Sequence, residues 1–441
     1  MDLTAKRMFE KYHRSLEEAS TVRFIGRVSK IIGLTIESFG PQVKIGEVCH
    51  IYPLGNKEPI HAEVVGFSFE KVLLMPLGDM EGVGPGSKVY ATGHLLSVKV
   101  GEALLGRVID GVGDFLDDGP ILDLKQRYPV NNEPPNPLKR MKIDRPISLG
   151  VRALDGLLTV GRGQRIGIFA GSGVGKSTLM GMIARNTQAD VNVIALVGER
   201  GREVSEFIEN DLGYEGLRRS VLVIATSDKP ALVRVNAALV ATSIAEFFRD
   251  KGLNVMLMMD SLTRFSMAQR EIGLAVGEPP VARGYTPSVF TKLPALLERA
   301  GNSDKGSITG LYTVLVDGDD MNEPVADAIR GILDGHVVLS RALAHKGHYP
   351  AIDILQSVSR VMPNIVSGEH MKIARGFNEI FATYKGSEDL INMGAYEVGS
   401  NPKIDYAIRR IDELNAFLRQ GVTEKSNLEN ITNLMLEATG R

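Results

Sequence analysis

Phe169-Ala170-Gly171-Ser172-Gly173-Val174-Gly175-Lys176-Ser177-Thr178 is the stretch that decides the fold of this 441-residue chain. The run leading into it, QRIGIF (Gln164 to Phe169), is rich in Ile and Phe, as a buried strand requires. The run after it, LMGMIARNT, has helix-forming composition. Strand, Gly-rich turn and helix together make a phosphate cradle, because glycine lets the backbone curl and aim its N–H groups at an anion. Lys176 can reach the β- and γ-phosphates of a nucleotide, and the Ser177 hydroxyl can ligate Mg²⁺. Ala170 stands where the GxxxxGK[ST] pattern has its first glycine, and alanine still fits a tight turn. Gly171 to Thr178 are therefore the candidate nucleotide-binding residues.

Beyond this loop strand-like and helix-like runs alternate for about two hundred residues, the mark of a parallel sheet with helices on both faces. VNVIALVGE ends in Gly198-Glu199-Arg200, and LNVMLMMD ends in Asp260. ITGLYTVLVDGDD ends in Asp317, Asp319 and Asp320, while SVLVIATS leads into a helix over 230–250. Ligands of open α/β sheets gather outside the carboxyl ends of the strands, so these ends and the phosphate loop point to one shared site. The Asp260 carboxylate is suited to hold magnesium beside the Ser177 hydroxyl. Glu199 is suited to orient and polarise an attacking water; spacing alone leaves an ion pair with Arg200 or Arg202 equally open. Arg360, in QSVSRVMPN, is on spacing either a surface arginine or a group that neutralises charge on a transferring phosphoryl.

The rest of the chain divides around this centre. Residues 1–20 (MDLTAKRMFEKYHRSLEEAS) carry Phe9, Tyr12 and Leu16 at helical spacing, which predicts an amphipathic helix. A lone helix this short is marginal in water, and a partner is expected on its apolar face. Over 21–95 six short runs (VRFIGRVSKI, LTIES, GEVCHIYP, HAEVVGFSF, KVLLMPL and KVYATG) are separated by turns and predict a small barrel or sandwich. Residues 96–362 form the α/β domain, entered through an irregular loop, Tyr128 to Pro137, with four prolines. Residues 363–441 are amphipathic helical runs broken by Gly and Pro.

With 51 basic and 53 acidic residues the net charge is −2, which argues against a nucleic-acid surface. The single cysteine, Cys49, excludes an internal disulfide and is expected to be a small buried hydrophobe. No run of eighteen apolar residues and no signal-like N-terminus occur, so a cytoplasmic protein is expected.

Longer motifs carry a family resemblance. DGLLTVGRGQRIGIFAGSGVGKST, VGERGREV, MMDSLTRFSMAQREIGLAVGEPPVARGYTPSVFTKLPALLERAG, DGHVVLSRALAHKGHYPAIDILQSVSR and NPKIDYAIRRIDELNAFLRQG together resemble the type III secretion ATPases. These are relatives of the catalytic subunit of rotary ATP synthases, and the likeness is greatest to the flagellar export branch, with the injectisome branch close behind. The resemblance implies a β-barrel, a RecA-like P-loop ATPase domain and a helical C-terminal domain. It implies ATP and Mg²⁺ as ligands, with Lys176 on the γ-phosphate, Glu199 activating water, Arg200 touching the γ-phosphate and Asp260 on the metal. Arg360 would be a finger reaching into the neighbouring subunit's site, which implies a homo-hexameric ring. The implied partners are a stator-like regulator dimer at the N-terminal helix, a central stalk-like protein, membrane proteins of the export gate and chaperone–substrate complexes. The implied location is cytoplasmic, at the inner-membrane export apparatus. Two departures stand out. Met371, in SGEHMKIAR, occupies the place where the synthase chain has an adenine-stacking tyrosine. INMGAYEVGSNPKID lacks the acidic lever sequence of the synthase chain, which argues against coupling to a synthase rotor. A nucleotide-dependent scaffold with incidental hydrolysis is the alternative of a different class.

Overall fold

The computed structural model describes residues 24–55, 58–316, 318 and 320–440. The expected helix over 1–20, and Asp317 and Asp319, lie outside them. Contacts divide the chain into two compact units, Met1–Leu96 and Ser97–Arg441.

The first unit is a closed barrel of six strands: β1 (Ile25–Ile32), β2 (Thr35–Phe39), β3 (Glu47–Tyr52), β4 (Ile60–Ser68), β5 (Lys71–Pro76) and β6 (Lys88–Leu95). Around the barrel they run β1-β2-β5-β4-β3-β6, and β6 closes onto β1 through pairs such as Ile25–Tyr90. Closure leaves no free sheet edge, and alternate residues fill the interior. That interior holds Val28, Ile36, Cys49, Ile51, Val64, Leu74 and Val89. Of the two architectures open to the sequence, the chain adopts the barrel. Cys49 is fully buried, and burial pushes its thiol up to about 12, so it acts as the inert hydrophobe expected.

The second unit begins with β7 (Ser97–Val100), β8 (Val108–Asp110) and β9 (Gln126–Pro129), of which β7 and β9 form a separate ribbon. The strands β10 (Arg165–Ala170), β11 (Val191–Val197), β12 (Ser220–Ala225), β13 (Asn254–Asp260), β14 (Gly301–Asn302), β15 (Ser307–Leu315), β16 (Gly335–Leu339) and β17 (Ile352–Ser359) join β8 in a nine-stranded sheet. Its order is β17-β16-β10-β15-β13-β11-β12-β8, with β14 hanging on β15. All neighbours from β16 to β8 are parallel; β17 runs antiparallel on β16. Parallel strands need cover on both faces, and every residue of β11 and of β12 is buried. Helix Ala231–Asp250 supplies part of that cover. It is long and apolar enough to cross a membrane, yet 94% of its apolar window is buried inside the protein.

The C-terminal helices Gly368–Asn392, Pro402–Leu418 and Leu428–Thr439 belong to the same compact unit as the sheet. Their apolar faces meet helix Arg152–Leu157: Leu154 and Leu157 share one core with Phe377, Phe417, Ile431 and Met435. Polar contacts fix the joint. The Gly156 carbonyl lies 2.7 Å from His370 Nε2, the Arg152 N–H donates to Gln420 Oε1 at 2.8 Å, and Arg152 Nη1 meets Glu424 Oε1 at 2.5 Å.

Candidate active site

The loop after β10 is the cradle the sequence describes. Gly173 has φ +77° and Gly175 φ +87°, a left-handed conformation that side chains resist, so glycine is required at both. At Gly171 the need is room: a Cβ there would stand 2.6 Å from Arg341 Nη2. Helix Lys176–Asn186 starts directly after the second left-handed turn, so its unpaired N–H groups face the loop.

Three expected residues meet beside this loop because their strands are neighbours. In the order β10-β15-β13-β11, the carboxyl ends deliver Lys176 (after β10), Asp260 (closing β13) and Glu199 (two residues beyond β11) to one place. Lys176 Nζ hydrogen-bonds Asp260 Oδ1 and stands 3.8 Å from Glu199 Oε1. Their side chains are only 12%, 5% and 11% exposed, so the charges are largely removed from water. Asp260 is also held by Thr313 of β15, whose hydroxyl donates to the same Oδ1 at 2.7 Å. Ser261 then caps helix Leu262–Ala275 by accepting from the Arg264 N–H, which fixes where β13 ends.

Glu199 is the electrostatically strained member. Burial, and then the nearby Asp260 carboxylate, push its carboxyl up to about 7 against the pull of Lys176. Glu199 Oε1 is buried with no hydrogen-bond partner among the described residues. Two carboxylates and one ammonium thus face a glycine cradle, with one carboxylate oxygen unused.

Arg200 does not join this cluster. Its side chain is 78% exposed and pairs with Glu203 at 3.2 Å. Arg360 is further away still. It follows β17, its N–H donates to the Asp334 carbonyl, and Nη1 donates to Leu333 O at 3.0 Å. Because β17 is antiparallel, this level matches the start of β10, where the Asp334 N–H donates to Arg165 O. Gly171 lies six residues further along the strand direction, on the order of 20 Å away. Arg360 is exposed, and it cannot serve the loop of its own chain. Asp320, the described member of the acidic cluster, accepts from Arg283 at 3.0 Å.

The fold also brings in residues that sequence reasoning did not single out. Arg264 packs against Gly198 and leaves a buried Nε without a hydrogen-bond partner among the described residues. The Arg341 guanidinium lies on Gly171, and the Tyr349 ring stands 3.5 Å from where a Gly175 Cβ would be. Met371 packs half-buried against the core, and the ring that rests on the phosphate loop is that of Tyr349. Arg264, Arg341 and Tyr349 all sit in motifs quoted above, which was the available signal.

A glycine cradle on a mostly parallel sheet, with a lysine and two carboxylates at adjoining strand ends, defines a P-loop nucleotide-hydrolysing domain. The ATP synthase alpha/beta family, nucleotide-binding domain, matches residues 150–359, and the same family's beta-barrel domain matches 28–93. The T3SS EscN ATPase C-terminal domain matches residues 366–437. The flagellum-specific ATP synthase of Bacillus subtilis is 59% identical, covering 96% of this chain and 97% of that protein. The type 3 secretion system ATPase of Xanthomonas euvesicatoria is 50% identical over 97% of this chain and 96% of its own. Among solved structures, the assembled ATPase EscN of the enteropathogenic E. coli type III secretion system is 46% identical, with a TM-score of 0.88 over 94% of this chain and all of that one. The chain belongs to the family of flagellum-specific and type III secretion ATPases.

Proposed function

We propose that this ATPase works in the flagellar branch, as a homo-hexameric ring that drives export substrates toward a membrane gate and completes each catalytic site between two subunits. One observation carries the reading: Lys176, Glu199 and Asp260 meet at one end of the sheet, while Arg360 stands exposed at the level of the other end. A chain built this way holds two halves of different sites.

The residues fit Mg²⁺, since Asp260 offers a buried carboxylate beside the cradle and the Ser177 hydroxyl follows Lys176 in the loop, both hard oxygen donors. With the ion bound, Ser177 and Asp260 would hold it, and it would offset charge on the phosphates. Gly171 to Thr178 wrap the phosphate chain with backbone N–H groups, and Lys176 exchanges its bond to Asp260 for the γ-phosphate. Glu199 orients water and accepts its proton at Oε1 as the water oxygen attacks the γ-phosphorus and ADP departs. A carboxyl poised near 7 is matched to that task at neutral pH. Arg200 reaches the γ-phosphate by leaving Glu203, and exposed pairs of this kind hold by only about 0–1 kcal/mol. Tyr349 offers its ring face to the adenine. The neighbouring subunit's copy of Arg360 stabilises the charge on the transferring phosphoryl group.

The flagellar assignment is supported by 59% identity to a flagellum-specific relative against 50% to an injectisome-type one. A central stalk partner is supported by EscN, which has been solved with its central stalk EscO at a TM-score of 0.87 to this chain. The remaining proposed partners are a stator-like regulator dimer on residues 1–20 and chaperone–substrate complexes, at the cytoplasmic face of the inner membrane.

Mixing tests the reading. Arg360→Ala and Lys176→Ala chains, each nearly inactive alone, should recover partial ATPase activity when co-assembled, because some interfaces then hold both intact halves. No recovery in mixtures shown to co-assemble overturns the shared site.

A further inference from the structure

Near the phosphate loop, a cavity of about 370 Å³ opens between the segment 340–356 and the C-terminal helices. Its wall is mostly apolar, with Leu343, Ile352, Phe381 and Leu418, and the half-exposed Leu355 lies at its mouth. His348 lines it and also lines a smaller adjoining chamber of about 90 Å³. His348 is 3% exposed, and its Nε2 is buried with no hydrogen-bond partner among the described residues. A buried polar atom without a hydrogen bond is costly, and a ligand's polar group in the cavity would recover that cost. Burial, and then Arg419 and Lys385, push the imidazole down to about 4, so it is neutral at physiological pH.

The charges around this histidine are unbalanced. Lys346 and Lys385 both pair with Glu388, at 3.2 and 2.8 Å. The Asp353 carboxylate, the other anion on the wall, is held within its own segment by the N–H groups of Leu355 and Gln356 and by Gln356 Nε2, so three cations face two carboxylates. Arg419, on the wall of the smaller chamber, has no carboxylate partner among the described residues. An apolar slot, an arginine on the wall of the chamber that opens from it and an idle imidazole nitrogen shared by both suit one class of molecule.

We propose that this cavity and the smaller chamber beside it bind a small organic anion with an apolar body, seated against Phe381 and Leu343, hydrogen-bonded to His348 and charge-paired with Arg419 across the smaller chamber. Its occupant bears on the nucleotide site through the chain itself. Tyr349 follows His348 and rests on Gly175; Arg341 lies between the lining residues Ser340 and Ala342 and packs on Gly171. The anion is therefore an effector of nucleotide binding, and this second half rests on the ATP reading above.

The probe 8-anilinonaphthalene-1-sulfonate carries an aromatic body and a sulfonate, and its fluorescence reports binding to the full-length chain. One saturable site per chain is expected. Leu355→Trp, which fills the mouth from a half-exposed strand position, should abolish that site. Arg419→Gln, at an exposed position, should weaken it at least tenfold. ATP should shift the probe's Kd, and the probe should shift the affinity for ATP by the same factor. Absence of saturable binding, or binding unchanged in both variants, overturns the site. Binding lost in both variants yet indifferent to ATP overturns the effector role. Probe binding is read without turnover, so an inactive chain leaves the test of the site intact.

Discussion

Glu199 shows how one residue's surroundings set its chemistry. It shares a nearly dry corner with Asp260, and one ammonium, Lys176, serves both carboxylates. Lys176 bonds Asp260 directly and stands 3.8 Å from Glu199, so Asp260 takes most of the compensation and Glu199 carries the strain. The sign for stability follows from linkage. A carboxyl raised from 4.5 to about 7 binds more protons folded than unfolded within that window. Its contribution is present at low pH and is lost as pH rises through about 7. Glu199→Gln cannot ionise, so thermal melting should place variant and parent close together near pH 4.5 and favour the variant increasingly toward about pH 8. The same substitution should slow ATP turnover by roughly 10²-fold or more while ATP binding persists, because the proton acceptor is gone. Turnover at the parent's rate would refute the role of Glu199.

Among the elements, helix Ala231–Asp250 is held by an ion pair buried as deeply as the hydrophobic core. Arg299 and Glu246 are 2% and 1% exposed and make two contacts, at 2.9 and 2.8 Å, while the guanidinium also donates to the Val130 carbonyl and the Ser243 hydroxyl. Glu246→Ala would strand that guanidinium, and chemical denaturation should show a loss of about 3–5 kcal/mol. Nothing in the sequence marks this pair, since its members lie 53 positions apart and meet only when the sheet is assembled. The same distinction governs the site. The phosphate loop was legible because strand, turn and helix are consecutive, and Asp260 and Glu199 because apolar runs end in them. The six runs of the barrel were legible from alternation and turns, while its closure rests on pairing between β1 and β6, distant in sequence. Thr313 reaches Asp260, Arg264 reaches Gly198, and Arg341 and Tyr349 reach the phosphate loop, from segments whose adjacency follows from sheet order, which periodicity does not encode. The exposure of Arg200 was likewise not legible, because it depends on where helix Gly201–Glu206 turns after its strand.

For the whole molecule, the decisive fact is that the antiparallel turn of β17 carries Arg360 away from its own phosphate loop. On the proposed reading, a solitary chain then has a cradle, a lysine and the carboxylate assigned to water activation, yet lacks the cation assigned to meet charge in the transition state. A finger supplied this way is worth about 10³–10⁵ in rate, so even a small assembled fraction would dominate any measured activity. ATPase activity per chain should therefore rise steeply as protein concentration crosses the range where subunits associate, with light scattering or analytical ultracentrifugation tracking assembly in the same samples. Arg360→Ala should flatten that rise without preventing association, because the guanidinium of this exposed residue makes no ion pair among the described residues and bonds only the carbonyls of Leu333 and Arg330. Activity per chain that stays constant while the sedimentation coefficient climbs would mean that each chain is catalytically whole, and the assignment of Arg360 to a neighbour's site would fall.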